Sequence, residues 1–330
     1  MNKITRAFAS LFTAALAAGT VSASAADAWQ PSRSVEFVVP SGPGAALDTA
    51  ARKMADLMQR SKLIAEPMVI SNRSGAAGSI ALQVLQQHPG DAHWLSTFTS
   101  GMINARVIGG VAPTYDEFTP IAVVLEESIV VAVRADSSLK TARDLVNKLK
   151  AQPNSLSIAI ATAVGNHIHV GVAKPLKVAG VDISKLAIIP FKSSADSMTA
   201  LLGGHVDAVA ASTPNVIAQL QAGKIRVLAV ATAVRLTGAL ASVPTWTEQG
   251  VPAVYASVQG VLGPKGMTAD QVKYWQSRVR AVTETPEWKQ FLASQNWTPM
   301  YMGAEEMERF LQTEFTATKA TIDELKLTRN

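Results

Sequence analysis

The sequence predicts two α/β domains that enclose a cleft, followed by a mainly helical C-terminal segment, and three patterns point to this organisation. Short apolar runs alternate with amphipathic stretches of helical spacing, which is typical of parallel sheets covered by helices. Glycine-containing loops follow several of these runs. The chain of 330 residues is also long enough to bury two hydrophobic cores.

The N-terminal residues predict export. Lys3 and Arg6 give a basic start, residues 7–18 are small and apolar, and residues 23–25 read Ala-Ser-Ala, an A-x-A cleavage pattern. The apolar run is shorter than a membrane span requires. We therefore expect a signal peptide over residues 1–25 and a mature protein in the periplasm.

The composition limits the possible partners. The sequence contains no cysteine, so an exported form has neither disulfides nor a thiol anchor for a lipid. The formal charge is +5, which falls to +3 when Lys3 and Arg6 are removed with the signal peptide. This mild excess, without any basic run, favours a small anionic partner and not nucleic acid.

The first region alternates strands and helices. Apolar runs at 35–39, 68–70 and 94–98 predict strands, and 47–58 and 79–87 have helical spacing. This β-α-β-α-β pattern is typical of a parallel sheet with helices on both faces.

A second region begins with a predicted strand at 129–133 and repeats this alternation, before the mainly helical segment that starts at residue 268. The chain changes region near 124–133 and returns near 255–262, so we expect a discontinuous first domain and a hinge. The predicted units are a first lobe of residues 26–128 plus 256–330 and a second lobe of residues 129–255.

The most informative local motif is the segment 41–48, which reads Ser-Gly-Pro-Gly-Ala-Ala-Leu-Asp between a strand and a helix. The helix start presents unpaired backbone N–H groups and its dipole to an anion, and the glycines allow close approach. A dinucleotide loop is a weaker interpretation, because Leu47 replaces the third glycine and no acidic residue follows the second strand. A plain tight turn remains an alternative.

Three further loops carry polar residues between a strand and a helix. One spans residues 162–169, one spans residues 192–196, and a hydroxyl-rich loop covers residues 97–104. In the first, His167 and His169 are two residues apart at a predicted helix start, where such positions do not face each other. Zinc needs three or four convergent ligands, so we expect no metal and no cofactor.

A catalytic arrangement is not recognisable. The G-x-S-x-G elbow of hydrolases does not occur in the sequence, and the Ser, His and acidic residues stand in no familiar pattern. We therefore expect a protein that binds a ligand without transforming it.

The order of several short motifs resembles the Bug-type extracytoplasmic receptors of tripartite tricarboxylate transport systems over the whole mature chain. The similar landmarks are Val39-Pro40, Pro43-Gly44, Asp48, Asn72-Arg73, Gly75, Gly78, Glu117-Phe118-Thr119-Pro120-Ile121, Val164-Gly165, His169, Ile189-Pro190-Phe191-Lys192, Leu201-Leu202-Gly203-Gly204, Val206-Asp207, Ala222-Gly223-Lys224-Ile225-Arg226, Val243-Pro244-Thr245 and Gly250.

The resemblance implies a two-lobed periplasmic binding protein of type II, a Venus flytrap with two crossing strands between its lobes. It also implies that loop amides, hydroxyls and water hold a ligand carboxylate in the cleft between the lobes. The pocket candidates that it implies are Ser41, Gly42, Pro43, Gly44, Ala45, Asp48, Thr97, Thr99, Ser100 and Asn104 from the first lobe, and Ala163, Val164, Gly165, Asn166, His169, Lys192, Ser193 and Ser194 from the second.

Several positions depart from the family pattern. Gly42 and Ala45 each replace a usual proline or glycine of the first loop, and Ala77 stands where the second motif usually has glycine. The ligand is therefore left open within the class of small carboxylates and related organic anions. We expect a monomeric receptor for transport or sensing, with the membrane subunits of a transporter or a sensor as partners. The alternative is an exported enzyme that acts on a small carboxylate.

Overall fold

The structure, a computed structural model, describes residues 29–110, 112–161 and 163–328. The predicted signal peptide over residues 1–25 lies outside these residues. In chain order the strands are β1 (Val35–Val39), β2 (Met68–Asn72), β3 (Trp94–Thr99), β4 (Thr119–Glu127), β5 (Ile129–Arg134), β6 (Ser157–Ala161), β7 (Ala187–Phe191), β8 (Ala208–Ser212), β9 (Ile225–Val230), β10 (Ser257–Gly263) and β11 (Thr298–Gly303).

The α-helices cover the faces of the sheets. They are α1 (Ala46–Arg60), α2 (Ser79–Gln86), α3 (Ser100–Ile108), α4 (Ala142–Ala151), α5 (His167–Val178), α6 (Ser194–Leu202), α7 (Ile217–Gln221), α8 (Ala269–Glu284), α9 (Pro286–Ser294) and α10 (Ala304–Glu324). None of the helices in the described part of the chain has the length and apolar character that a membrane span requires.

The strands form two separate sheets. The first has the order β11-β4-β10-β3-β1-β2, and the second has the order β7-β6-β8-β5-β9. Strand β1 pairs in parallel with β2 and β3, so the parallel pairing predicted for this region is confirmed. Both sheets are nevertheless mixed, because β10 runs antiparallel to β3 and β4, and β5 runs antiparallel to β8 and β9.

Two connections cross between the sheets, as the sequence predicts. The first passes from β4 through the buried Ser128 directly into β5. The second returns where the Tyr255 amide donates to the Ala231 carbonyl at 2.8 Å, just before β10 begins at Ser257. The molecule is therefore a two-lobed α/β protein, in which each lobe consists of one sheet with the helices packed on it.

Each lobe has its own apolar core. Helix α1 is amphipathic and buries Met54 and Leu57 against the first sheet, whereas its Arg52 points away from this core. Trp275 of α8 and Trp288 of α9 are fully buried on the same side of that sheet. Burial of such aromatic side chains contributes strongly to folding because each removes a large apolar area from water.

The C-terminal segment is not helical throughout. Residues 298–303 form β11, which pairs antiparallel with β4 at the edge of the first sheet. This strand escaped the sequence prediction because its length and composition do not distinguish it from a helix connection. Helix α10 then passes along both lobes, since Met307 is buried with the first and Ile322 with the second.

The polar segment 97–104 also differs from the prediction of a loop. Thr97 and Thr99 belong to β3, and Ser100 and Asn104 belong to α3, which starts without any intervening loop residue. The Thr99 side chain caps this helix by accepting from the Gly101 amide at 3.5 Å. Thr99 therefore ends the strand and caps the helix, which removes the need for a loop.

The glycine in β10 predicts a sensitive position. A Cβ added to Gly260 would lie 2.5 Å from the Ala122 carbonyl oxygen of β4, too close for any side chain. We expect Gly260→Ala to lower the free energy of unfolding by about 1–3 kcal/mol, because the two crossing strands must separate locally. The control is Gly42→Ala, whose Cβ would meet nothing within 4 Å and which should change that free energy by less than about 0.5 kcal/mol. Urea unfolding followed by tryptophan fluorescence measures both, and equal stability of the two variants would contradict this packing.

Candidate functional site

A cavity of about 640 Å³ lies between the two lobes, and both sheets contribute residues to it. We call this cavity the cleft. Its size is that of a pocket for a small organic ligand. The residues that line it are Pro40, Ser41, Ala45, Ala46, Leu47, Gly75, Ala77, Gly78, Thr99, Gly101, Met102, Glu127, Ala161, Ala163, Asn166, His167, Ile168, Ser194, Ser212, Asn215 and Gln259.

Helix N-termini from both lobes converge on the cleft. Residues at the starts of α1 and α3 line it on the first lobe, and residues at the starts of α5 and α6 line it on the second. The first-turn N–H groups of a helix have no intrahelical acceptor, and they carry the positive end of the helix dipole. The cleft is thus surrounded by positive ends of dipoles that approach it from both sides.

Helix α1 offers the least occupied N-terminus. Its N-cap residue, Ala45, supplies no side-chain hydrogen bond, whereas Thr99, Asn166 and Ser193 cap the other three helices. Ser41 precedes α1, and its buried Oγ has no hydrogen-bond partner among the described residues. The start of α1 therefore combines uncapped backbone donors with a free hydroxyl, an arrangement suited to an anion.

The carboxylate of Asp48 holds the loop that precedes α1, residues 41–46, which we call the glycine loop. It accepts hydrogen bonds from the Gly44 amide at 2.8 Å, from Asn72 Nδ2 at 2.8 Å and from Arg52 Nε at 2.9 Å. Asn72 Nδ2 also donates to the Ser41 carbonyl at 2.9 Å. Gly44 has a φ of 78°, which a residue with a side chain adopts only with strain. Asp48 is therefore a support of the loop and does not line the cleft.

Asp48 is almost fully buried, yet it is held in its charged form. Burial opposes ionisation, but the hydrogen bonds from Arg52, Gly44 and Asn72 outweigh it and hold the pKa of Asp48 below its usual value of 3.8. Arg52 also balances the charge of Asp48. The carboxylate therefore orders the loop without leaving an unbalanced negative charge beside the cleft.

A second set of contacts joins the lobes at the start of α5. Asn104 Nδ2 of the first lobe donates to the Gly165 carbonyl of the second at 3.0 Å. The Gly165 amide donates to His169 Nδ1 at 2.9 Å, and burial lowers the pKa of His169 to about 4. Because Nδ1 accepts, the proton of this neutral imidazole lies on Nε2. These three residues therefore fix the loop between β6 and α5 against the first lobe.

The structure brings together six of the residues proposed from the sequence at the cleft surface: Ser41, Ala45, Thr99, Ala163, Asn166 and Ser194. Five others of the set take part in hydrogen bonds that order the backbone behind the lining: Gly44, Asp48, Asn104, Gly165 and His169. The remaining residues lie outside the lining: Gly42, Pro43, Thr97, Ser100, Val164, Lys192 and Ser193.

Two of these outlying hydroxyls have other surroundings. The Ser100 Oγ accepts from the Val258 amide of β10 at 2.9 Å. Thr97 faces a small internal gap beside Trp288, within the first lobe. Ligand contact at these positions, as at all the others that the resemblance implies, stays a prediction.

Several cleft residues escaped the sequence analysis. Glu127 and Gln259 lie on the crossing strands, where no local pattern marks a polar residue as facing a cleft. Gly75 and Gly78, landmarks of the resemblance, line the cleft together with Ala77. Ala76 and Ala77 between them have φ of 44° and 50°. Alanine adopts such left-handed values only with strain, and the sequence alone does not reveal this strain.

The lining carries little formal charge. Glu127 and His167 are the titratable side chains among the described residues that line the cleft, and no Lys or Arg is among them. Burial lowers the pKa of His167, and the nearby Glu127 only partly opposes this effect. His167 is therefore neutral near pH 7, and the positive potential of the cleft comes from backbone dipoles.

The two neighbouring histidines have separate environments. His167 Nε2 lies 3.9 Å from Glu127 Oε2, whereas His169 is buried against Gly165. In the described ranges, no group of three or more His, Cys, Asp or Glu side chains could hold a metal ion.

The Asp48 network predicts a pH-dependent effect on stability. Since its pKa is lower in the folded than in the unfolded protein, Asp48 stabilises the fold above its unfolded value near 3.8 and loses this contribution as pH falls through the folded value. We expect Asp48→Asn to cost about 1.5–3 kcal/mol at pH 7, because charged hydrogen bonds are lost, and the cost should shrink below pH 3.8.

Urea unfolding of both proteins between pH 2.5 and pH 7 (roughly the interval that spans this titration) measures the difference. The control is Asp56→Asn on the same helix, where the carboxylate is 44% exposed and pairs with Arg60; its cost should stay below about 1 kcal/mol. A large cost for Asp48→Asn that does not vary with pH would contradict the assignment.

Comparisons with known proteins agree with this architecture. The model of a family described as "Tripartite tricarboxylate transporter family receptor" matches residues 50–327. A Cupriavidus necator protein named for the gbd 5' region is 27% identical over 329 residues, which cover 99% of this chain and 98% of the relative. Protein BugT of Bordetella pertussis is 26% identical over 302 residues, covering 90% of each chain.

Solved structures show the same fold. A TctC solute-binding protein from Polaromonas, without ligand, has a TM-score of 0.76 at 23% identity, covering 89% of this chain and 99% of that one. An R. palustris protein solved with adipate has a TM-score of 0.75 at 26% identity, covering 90% and 98%. The family match spans most of the chain, and the two-lobed fold agrees with it. This chain therefore belongs to the family of tripartite tricarboxylate transporter receptors.

Proposed function

We propose that this chain is a periplasmic solute-binding protein that captures a small carboxylate, or a related organic anion, in the cleft, for transport or sensing. The observation that carries the proposal is the convergence of four helix N-termini on a cavity whose described lining contains no Lys or Arg. Its neutral donors favour a carboxylate without the desolvation cost of burying a cationic side chain.

The ligand of one relative supports the class of solute. The R. palustris protein that was solved with adipate is 26% identical and covers 90% of this chain. Adipate is a small dicarboxylate, which supports a small carboxylate as the class of ligand that we propose here. The uncapped start of α1 and the free Ser41 hydroxyl are the donors that we propose for the carboxylate of the present ligand.

The lobes supply the mechanism of capture. We propose that residues 26–128 with 256–330 form one domain, that residues 129–255 form the other, and that they close on the ligand about the two crossings. The separate sheets and the two strand connections support this division. In this proposal the residues of both lobes that line the cleft contact the ligand together only in the closed form.

We propose that the protein binds its ligand without transforming it. We also propose that it is a monomer, that it is exported through the signal peptide, and that it passes its ligand to membrane subunits or a sensor. The alternative of an exported enzyme requires an acid–base pair beside the ligand, and the Glu127–His167 pair at 3.9 Å is the titratable pair that lines the described cleft. Incubation of the protein with its bound acids, followed by mass analysis, separates the two hypotheses, since any product would favour the enzyme.

The test of the function uses protein freed of bound solute by unfolding and refolding. Titration calorimetry should detect binding of at least one acid from a panel of small mono- and dicarboxylates. The corresponding amides should bind at least about tenfold more weakly, because they lack the charge that the helix dipoles stabilise. Equal binding of acids and amides, or binding of neither, would contradict the proposal.

Ser41→Ala tests the proposed anion position. We expect affinity for the acid to fall about three- to tenfold, because water replaces only part of the lost hydrogen bond. The melting temperature should hardly change, since Ser41 Oγ has no partner among the described residues. The matched control is Ser155→Ala, which removes another buried, unpartnered hydroxyl away from the cleft. Equal affinities of both variants and the wild type would remove Ser41 from the site.

A further inference from the structure

Glu127 is a buried carboxylate that lines the cleft without a hydrogen bond. The residue is 6% exposed, and among the described residues its one ionic contact is His167, at 3.9 Å between Oε2 and Nε2. That distance is too long for a hydrogen bond. The carboxylate has no hydrogen-bond donor among the described residues, so a ligand group that donates is favoured beside it.

The position of Glu127 is distant from the proposed carboxylate position. Ser41 follows β1, and Glu127 ends β4, which lies three strands away in the order β4-β10-β3-β1. Three strand spacings of about 4.8 Å separate the two backbones by about 14 Å. The glycine loop and Glu127 therefore lie about 14 Å apart along the first sheet. The two ends of one small molecule can thus contact one of them each.

The charges around Glu127 do not neutralise it. His167 is the titratable neighbour in the lining, and its lowered pKa keeps it uncharged near pH 7. No Lys or Arg side chain is among the described residues of the cleft. Glu127 is therefore a negative charge in the cleft that no cationic side chain of the described lining balances.

We propose that Glu127 makes the cleft select small acids that carry a protonated amine at the end opposite the carboxylate, over dicarboxylates of the same length. This inference rests on the proposed function and assigns a specificity-determining role within it. The amine donates charge-assisted hydrogen bonds to the buried carboxylate. A second carboxylate at that place meets a like charge, which disfavours its binding.

The adjacent residue provides a matched control. Glu126 precedes Glu127 on β4, and successive side chains of a strand point to opposite faces. Glu126 is partly buried and lines a separate depression of about 400 Å³ with residues 232–238 and 296–299. The substitutions Glu127→Gln and Glu126→Gln remove the same charge from neighbouring positions, and only the first removes it from the cleft.

The experiment is titration calorimetry of the refolded, solute-free protein with pairs of acids that differ at one end. The pairs are succinate with 4-aminobutanoate, glutarate with 5-aminopentanoate, and adipate with 6-aminohexanoate. For the best-binding length, the wild type should bind the amino acid at least about tenfold more tightly than the diacid, equivalent to about 1.4 kcal/mol. Glu127→Gln should reduce this ratio at least about tenfold, and Glu126→Gln should leave it unchanged.

The outcomes separate this inference from the proposed function. If acids bind but the wild type prefers the diacid, or if Glu127→Gln leaves the ratio unchanged, the role of Glu127 is overturned and carboxylate capture stands. If no acid of the panel binds any variant, capture itself fails, and the selectivity fails with it. Melting curves establish whether Glu127→Gln is folded. If it is not, the comparison of the amino acid with the diacid on the wild type still decides the question.

Discussion

The antiparallel pairing of β4 with β10 is the constraint on which the rest of the structure depends. Both strands lie in the first sheet, and both continue into the crossings that lead to the second lobe. Their close approach at Gly260 leaves no room for a side chain. Because Glu127 and Gln259 lie on these strands, the same pairing that joins the lobes also supplies residues of the cleft between them.

The arrangement of charge follows from this frame. Parallel strands direct the helices that follow them toward one edge of each sheet, so the two edges that face each other bring helix N-termini together. Asp48 accepts a hydrogen bond from the Gly44 amide, and Arg52 balances the charge of Asp48. These contacts order the glycine loop, while the first turn of α1 stays uncapped. The result is a cleft whose positive potential comes from backbone dipoles and whose one carboxylate in the described lining is Glu127.

Local patterns predicted the parts that depend on local chemistry. The strand, the glycine loop and the helix around residues 35–58 form where the sequence places them, because apolar spacing and glycine positions determine such units. The positions of Glu127 and Gln259 could not be predicted in this way, since they depend on pairing between strands separated by more than a hundred residues. Strand β11 and the direct passage from β3 to α3 likewise depend on tertiary pairing and helix capping.

A crystal structure of the protein with a bound small acid tests the central claim most directly, which is that backbone donors at a helix N-terminus hold the carboxylate. The account predicts a carboxylate oxygen about 2.7–3.2 Å from backbone nitrogens in the first turn of α1, with Ser41 as a further donor. A ligand whose carboxylate pairs with a Lys or Arg side chain, or that occupies the depression beside Arg235, would contradict it.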